Sequence, residues 1–147
     1  MNAEKLLFKQ TAEMVINECR NALDKIDPYS VSRLLDAIMS AEKVFFIGVG
    51  RVMLSLQAFA KRLSHLGVNS FCVGQITEPA ITDRDLLIVG SGSGESLIPV
   101  AIARKAKLFG AKIAHIGSNP ESSLKEITDI FVRIPVRTKM ALGDEIK

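Results

Sequence analysis

The stretch DLLIVGSGSGESLIPVAIARKAKLFGAKIAHIG, residues 85–117, sets the fold. It opens on a continuously apolar run, Leu86 to Val89, and breaks into the turn Ser91-Gly92-Ser93-Gly94-Glu95-Ser96. A helix-like segment over 96–109 follows, and a second apolar run, Ile113 to Ile116, closes the unit. Strands without apolar/polar alternation are buried on both faces, as in a parallel sheet covered by helices on each side. The unit therefore predicts strand, turn, helix and strand, with the turn at a carboxyl strand end.

The same pattern recurs outward. Val44 to Ile47, Phe71 to Val73 and Ile130 to Ile134 are further short apolar runs, with helices expected over 52–66 and 121–128. An irregular loop around Thr77, Glu78 and Pro79 joins the second and third strands. Residues 3–26 contain neither Gly nor Pro, and Phe8, Ala12, Val15, Cys19, Ala22 and Ile26 recur at spacings of four and three. That spacing predicts a long amphipathic helix. Asp27-Pro28 supplies an N-cap and a first-turn proline for a second helix bearing Leu34, Leu35 and Ile38. The expected architecture is α/β: a five-stranded, doubly wound parallel sheet with a two-helix N-terminal extension. Residues 1–42 hold those helices, 43–135 the sheet core and 136–147 a tail, all in one domain.

A chain of 147 residues buries a sizeable core without disulfide or metal. Nineteen Lys and Arg against sixteen Asp and Glu leave a charge of +3, and the basic residues are scattered. That argues against a nucleic-acid surface and against a membrane patch. Cys19 and Cys72 have no CxxC or His-spaced partner and are expected to be small buried side chains of a reducing compartment. The polar N-terminus and the lack of an apolar run of about 18 residues lead to a cytoplasmic expectation.

Two turns carry candidate chemistry, since open parallel sheets bind ligands beyond their carboxyl strand ends. The first is Gly48-Val49-Gly50-Arg51; the second, Ser91 to Ser96, places three hydroxyls among glycines before a helix. Free N–H groups and the helix dipole there favour a phosphate, and Gly92 and Gly94 admit it close to the backbone. An ordinary turn with Ser96 capping the helix is the competing reading; a strand before and a helix after favour phosphate. A Walker loop would need a lysine that this turn lacks, and Met53 stands where a dinucleotide motif needs its third glycine. Neither ATP nor NAD is indicated.

These pieces resemble the SIS (sugar isomerase) family and, within it, the 6-phospho-3-hexuloisomerases. The resemblance rests on GVGR at 48–51, FAKRLSHLG at 59–67, CVGQITEP at 72–79, DLLIVGSGSGES at 85–96 and AKLFGA at 106–111. It implies a flavodoxin-like three-layer αβα sandwich, a homodimer or homotetramer packed through the N-terminal helix, and no cofactor or metal. The implied activity is that of an aldose–ketose type isomerase, interconverting arabino-hex-3-ulose 6-phosphate and fructose 6-phosphate through an enediol. Ser91, Ser93 and Ser96 match the family's phosphate positions, with Gly48, Gly50, Arg51, Gly92 and Gly94 around them. His65 matches a histidine suggested to open the sugar ring, or is a helix-face histidine beside Leu63 and Leu66. Arg51 is a substrate or interface contact, or faces water.

The chain departs from the family pattern at Val52, where a serine is usual, and at Gln75, where glutamate is frequent. The family's presumed glutamate base and last helix would lie beyond Lys147, so the tail is expected to be truncated relative to the family. Glu95 could stand in as base, although a carboxylate in a helix's first turn complements the dipole and loses basicity. Asp144 and Glu145 are expected to be solvated tail charges, and His115 a satisfied core residue. Two alternatives accompany the hexuloisomerase: a non-catalytic sugar-phosphate sensor of the kind attached to transcriptional regulators, and arabinose-5-phosphate isomerase.

Overall fold

The computed structural model describes residues 3–138. Five strands, β1 (Val44–Ile47), β2 (Ser70–Cys72), β3 (Leu86–Gly90), β4 (Lys112–Gly117) and β5 (Ile130–Arg133), form one parallel sheet in the order β2-β1-β3-β4-β5. The strand order reverses between β1 and β3, which are hydrogen-bonded neighbours with Val44 opposite Leu86. Among the described residues four α-helices accompany the sheet: α1 (Ala3–Leu23), α2 (Pro28–Ser40), α3 (Gly50–His65) and α4 (Leu97–Leu108).

Successive side chains of a strand point to opposite faces, so each apolar run feeds two cores. Val44, Phe46, Leu86, Ile88 and Ala114 meet Leu34 and Ile38 of α2 and Leu56, Ala60 and Leu63 of α3. Phe45, Ile47, Leu87, Val89 and Ile113 meet Ala103 and Ala106 of α4, together with Leu124. The sandwich is thus three layers deep. Asp85, just before β3, is buried, accepting from the N–H and hydroxyl of Thr82 (2.7 and 2.9 Å) and paired to Lys43 at 3.1 Å.

Three expectations change. The helix predicted over 121–128 is only a 3-10 turn, Lys125–Ile127. Both flanks of that segment are already tied: Asn119 takes the Glu121 N–H, Glu95 takes that of Ser123, and Asp129 accepts from Ile113 and Lys107. Too few residues remain between those ties for a full α-helical turn to repeat. The first helix ends at Leu23 rather than 26, because Lys25 and Ile26 bond back three residues, to Ala22 and Leu23, and Ile26 turns in onto the core. Cys19 is exposed while Cys72 is buried. No residue of α1 is buried, and among the described residues no other element packs against it extensively. Among the described residues no helix is long and apolar enough to cross a membrane.

Candidate functional site

Both helices that start at the switch point begin without a side-chain cap. Val49 precedes α3 and Ser96 precedes α4, and neither side chain accepts a helix N–H. Gly50 takes a left-handed φ of 55°, which a residue without Cβ adopts at no steric cost. In α4 the third position is Pro99, which has no N–H, so Leu97 and Ile98 carry the free first-turn donors. Among the described residues no acceptor takes the N–H of Gly92, Ser93, Leu97 or Ile98.

The serine turn is folded by its own hydroxyls. Buried Ser91 accepts the Gly94 N–H at 3.0 Å and stands 3.5 Å from the Ser96 hydroxyl, while Ser93 accepts the Glu95 N–H at 3.2 Å. The turn's carbonyls are held from the β4 side. His115 Nε2 donates to the Ser91 oxygen at 2.8 Å, and the Ser118 N–H and hydroxyl, both at 2.9 Å, reach the Gly92 oxygen with the Asn119 N–H. Asn119 Nδ2 donates to the Ser93 oxygen at 3.2 Å. The Ser91 carbonyl can only accept, so the bond from His115 fixes the Nε2–H tautomer of its neutral ring. Burial pushes that imidazole below its ordinary value, against the opposing pull of the Ser91 carbonyl.

Residues 37–143 match the SIS domain. The chain belongs to the SIS domain family. Its relatives include the 3-hexulose-6-phosphate isomerase of Bacillus subtilis, 38% identical over 121 residues, 82% of this chain and 65% of the relative. The Mycobacterium gastri protein of the same name is 39% identical over 133 residues, 90% of this chain and 67% of the relative. The chain therefore spans about two thirds of the length of these curated relatives. A solved Methanococcus jannaschii structure, described as inferring a 3-hexulose-6-phosphate isomerase function, superposes with a TM-score of 0.77 at 32% identity. That superposition covers 87% of this chain and 76% of that one.

In this SIS domain the structure brings Ser91, Gly92, Ser93, Gly94 and Ser96 into one turn, and sets Gly48 against it. A Cβ added at Gly48 would lie 3.2 Å from the Gly90 carbonyl oxygen, so the two glycine turns pack side by side. Val52 covers the root of the serine turn: its Cγ1 lies 2.6 Å from where a Cβ on Gly90 would stand. Arg51 is exposed in the first turn of α3. Gln75 accepts the Cys72 N–H at 3.3 Å and steadies the loop after β2.

His65 is not brought to the turn. It is exposed in the last turn of α3, about 22 Å along the helix from Gly50, near the strand starts where Ser70 pairs with Val44. Within one chain its ring cannot reach a ligand at the carboxyl strand ends. Glu95 is engaged as well: the Ser123 hydroxyl (2.5 Å) and N–H (2.7 Å) hold its carboxyl below the ordinary value, the reverse of what a general base needs. Asp144 and Glu145 lie outside the described residues.

Sequence reasoning missed the residues that gather around the turn from β4 and beyond. Ser122 packs on Gly94, the methyl of Thr138 lies 2.6 Å from a would-be Cβ on Gly92, and both hydroxyls are buried without a partner among the described residues. The signal was the polar cluster Ser118-Asn119-Pro120, which follows a strand that pairs with β3.

Proposed function

We propose that this SIS domain seats the phosphate of a six-carbon ketose phosphate at Ser91 to Ser96 and serves the interconversion of arabino-hex-3-ulose 6-phosphate and fructose 6-phosphate. The observation that carries the reading is the uncapped start of α4 beside the switch point, where N–H groups without an acceptor among the described residues accompany the Ser91 and Ser96 hydroxyls. The named relatives support the substrate class. Both sugars are ketoses, so the reaction is a carbonyl shift between C3 and C2 rather than an aldose–ketose exchange. A base removes the C2 proton while the C3 carbonyl oxygen gains one, giving the 2,3-enediol; a proton then returns to C3 as the C2 hydroxyl gives up its own and becomes the carbonyl. The phosphate on C6 is remote from those carbons, so its binding energy holds the reacting end in place.

The turn supplies the anchor in this proposal, and Glu95 is assigned no proton. Self-association belongs to the same reading: α1 leaves Leu7 at 65% and Phe8 at 73% exposure, an apolar surface suited to a second copy of the chain. Light scattering should show a dimer or larger, and a stable monomer at micromolar concentration would contradict this part.

An assay coupled to fructose 6-phosphate formation tests the function. Turnover of the hexulose phosphate, with a raised KM in the Ser91→Ala/Ser93→Ala variant, is expected. Tight binding without turnover would favour a sensor, and preferential turnover of arabinose 5-phosphate would move the domain to the other isomerase.

A further inference from the structure

The glycines that let a ligand approach the serine turn also leave its peptide planes free to rotate. Gly92 and Gly94 flank Ser93, and Gly94 has a φ of 69°, so the turn's own chain does little to fix which way each carbonyl faces. A carbonyl oxygen turned toward an anion would repel it. Three of the turn's carbonyls are bonded from outside it: Ser91 by His115, Gly92 by Ser118 and the Asn119 N–H, and Ser93 by Asn119.

In a trans peptide the C=O and the following N–H point in opposite directions, and no peptide bond here is cis. Holding the Ser91 carbonyl against β4 therefore turns the Gly92 N–H away from β4, and holding the Gly92 carbonyl does the same for the Ser93 N–H. Those are two of the N–H groups without an acceptor among the described residues. The third held carbonyl, that of Ser93, directs the Gly94 N–H to the Ser91 hydroxyl, which fixes that hydroxyl's own place at 3.0 Å. Successive N–H groups facing one way form an anion-binding concavity.

We propose that His115, Ser118 and Asn119 are positioning residues which hold the turn's carbonyls toward β4 and so set its N–H groups for a phosphate. The proposal rests on the reading of this turn as the phosphate site. His115 is central because it is buried, its ring packed at a tilt against Phe131 at 5.0 Å between centroids, and so cannot follow a rotating carbonyl.

The test is an NMR titration of the full chain with inorganic phosphate, following the Gly92 and Ser93 amides, with thermal melting measured alongside. His115→Phe keeps the ring volume and removes the donor; His115→Gln restores an N–H donor near the Nε2 position. His115→Phe should weaken phosphate binding about three- to tenfold, the worth of one hydrogen bond, with the two amide shifts moved in the free protein and the affinity largely recovered in His115→Gln. Asn119→Ala, at a half-buried site, should act in the same direction and carries the test if His115→Phe does not fold. Wild-type binding with unchanged affinity in folded His115→Phe and Asn119→Ala would overturn the positioning role and leave the phosphate site standing. If phosphate leaves both amides of the wild-type chain unmoved, the phosphate site itself fails and the positioning role falls with it.

Discussion

The starts of α2 and α4 answer the same problem in opposite ways. At α2 the Asp27 carboxylate accepts from Tyr29 and Ser30, both at 3.1 Å, and Pro28 occupies the first position, where no N–H is missed. At α4 the preceding residue, Ser96, also belongs to the good capping types, yet its hydroxyl accepts from no helix N–H. A helix start that closes on itself is a structural joint. One that stays open at the carboxyl ends of a parallel sheet keeps its donors and its positive dipole end for something else.

Making α4 resemble α2 should have the largest effect. Ser96→Asp places a carboxylate where it can cap Ile98 and where the phosphate would sit. Like-charge repulsion should lower sugar-phosphate affinity by about a hundredfold or more in calorimetry, with stability within about 1 kcal/mol of wild type. Gly117→Ala attacks the turn from below, because the new Cβ would overlap the Ser91 carbonyl oxygen and the His115 ring. Overpacking against backbone and a buried ring should cost about 1–3 kcal/mol in urea denaturation and weaken binding as well. Asp27→Ala opens α2 as α4 is open. It should cost about 1 kcal/mol in the same denaturation experiment and leave phosphate affinity unchanged.

The smallest effect is pH-dependent. His115 has a folded value below its unfolded one, so unfolding takes up a proton once the pH falls below the ordinary histidine value of about 6.5. Its contribution is intact above that pH and is lost as the pH drops from there through the folded value. Melting temperatures across pH 5–8 should fall less on the acid side in His115→Gln than in wild type.

The sheet was legible because its strands are short, mostly apolar runs, four of them ended or followed by glycine (Gly48, Gly74, Gly90 and Gly117), and the serine turn because a strand precedes it and a helix follows it. What gathers around the turn was not legible in the same way. His115 and Ser91 are 24 residues apart and meet only because β3 and β4 pair in parallel with Gly90 opposite Ile116, a register that one sequence does not display. The helix expected over 121–128 failed for a related reason: its ties to Glu95 and Asp129 are tertiary and override local propensity. Cys19 was misplaced because the seam of α1 implies a covering surface that the described residues do not contain.

Calorimetric titration of fructose 6-phosphate into the wild-type chain and its Ser91→Ala/Ser93→Ala variant tests the phosphate anchor most directly. Hydrogen bonds to a charged group are worth roughly 1.5 to 3 kcal/mol each, so the double change should weaken binding about a hundredfold or more while the protein remains folded. Equal affinity in the two proteins would place the sugar phosphate elsewhere and contradict the assignment of the open α4 start as its anchor.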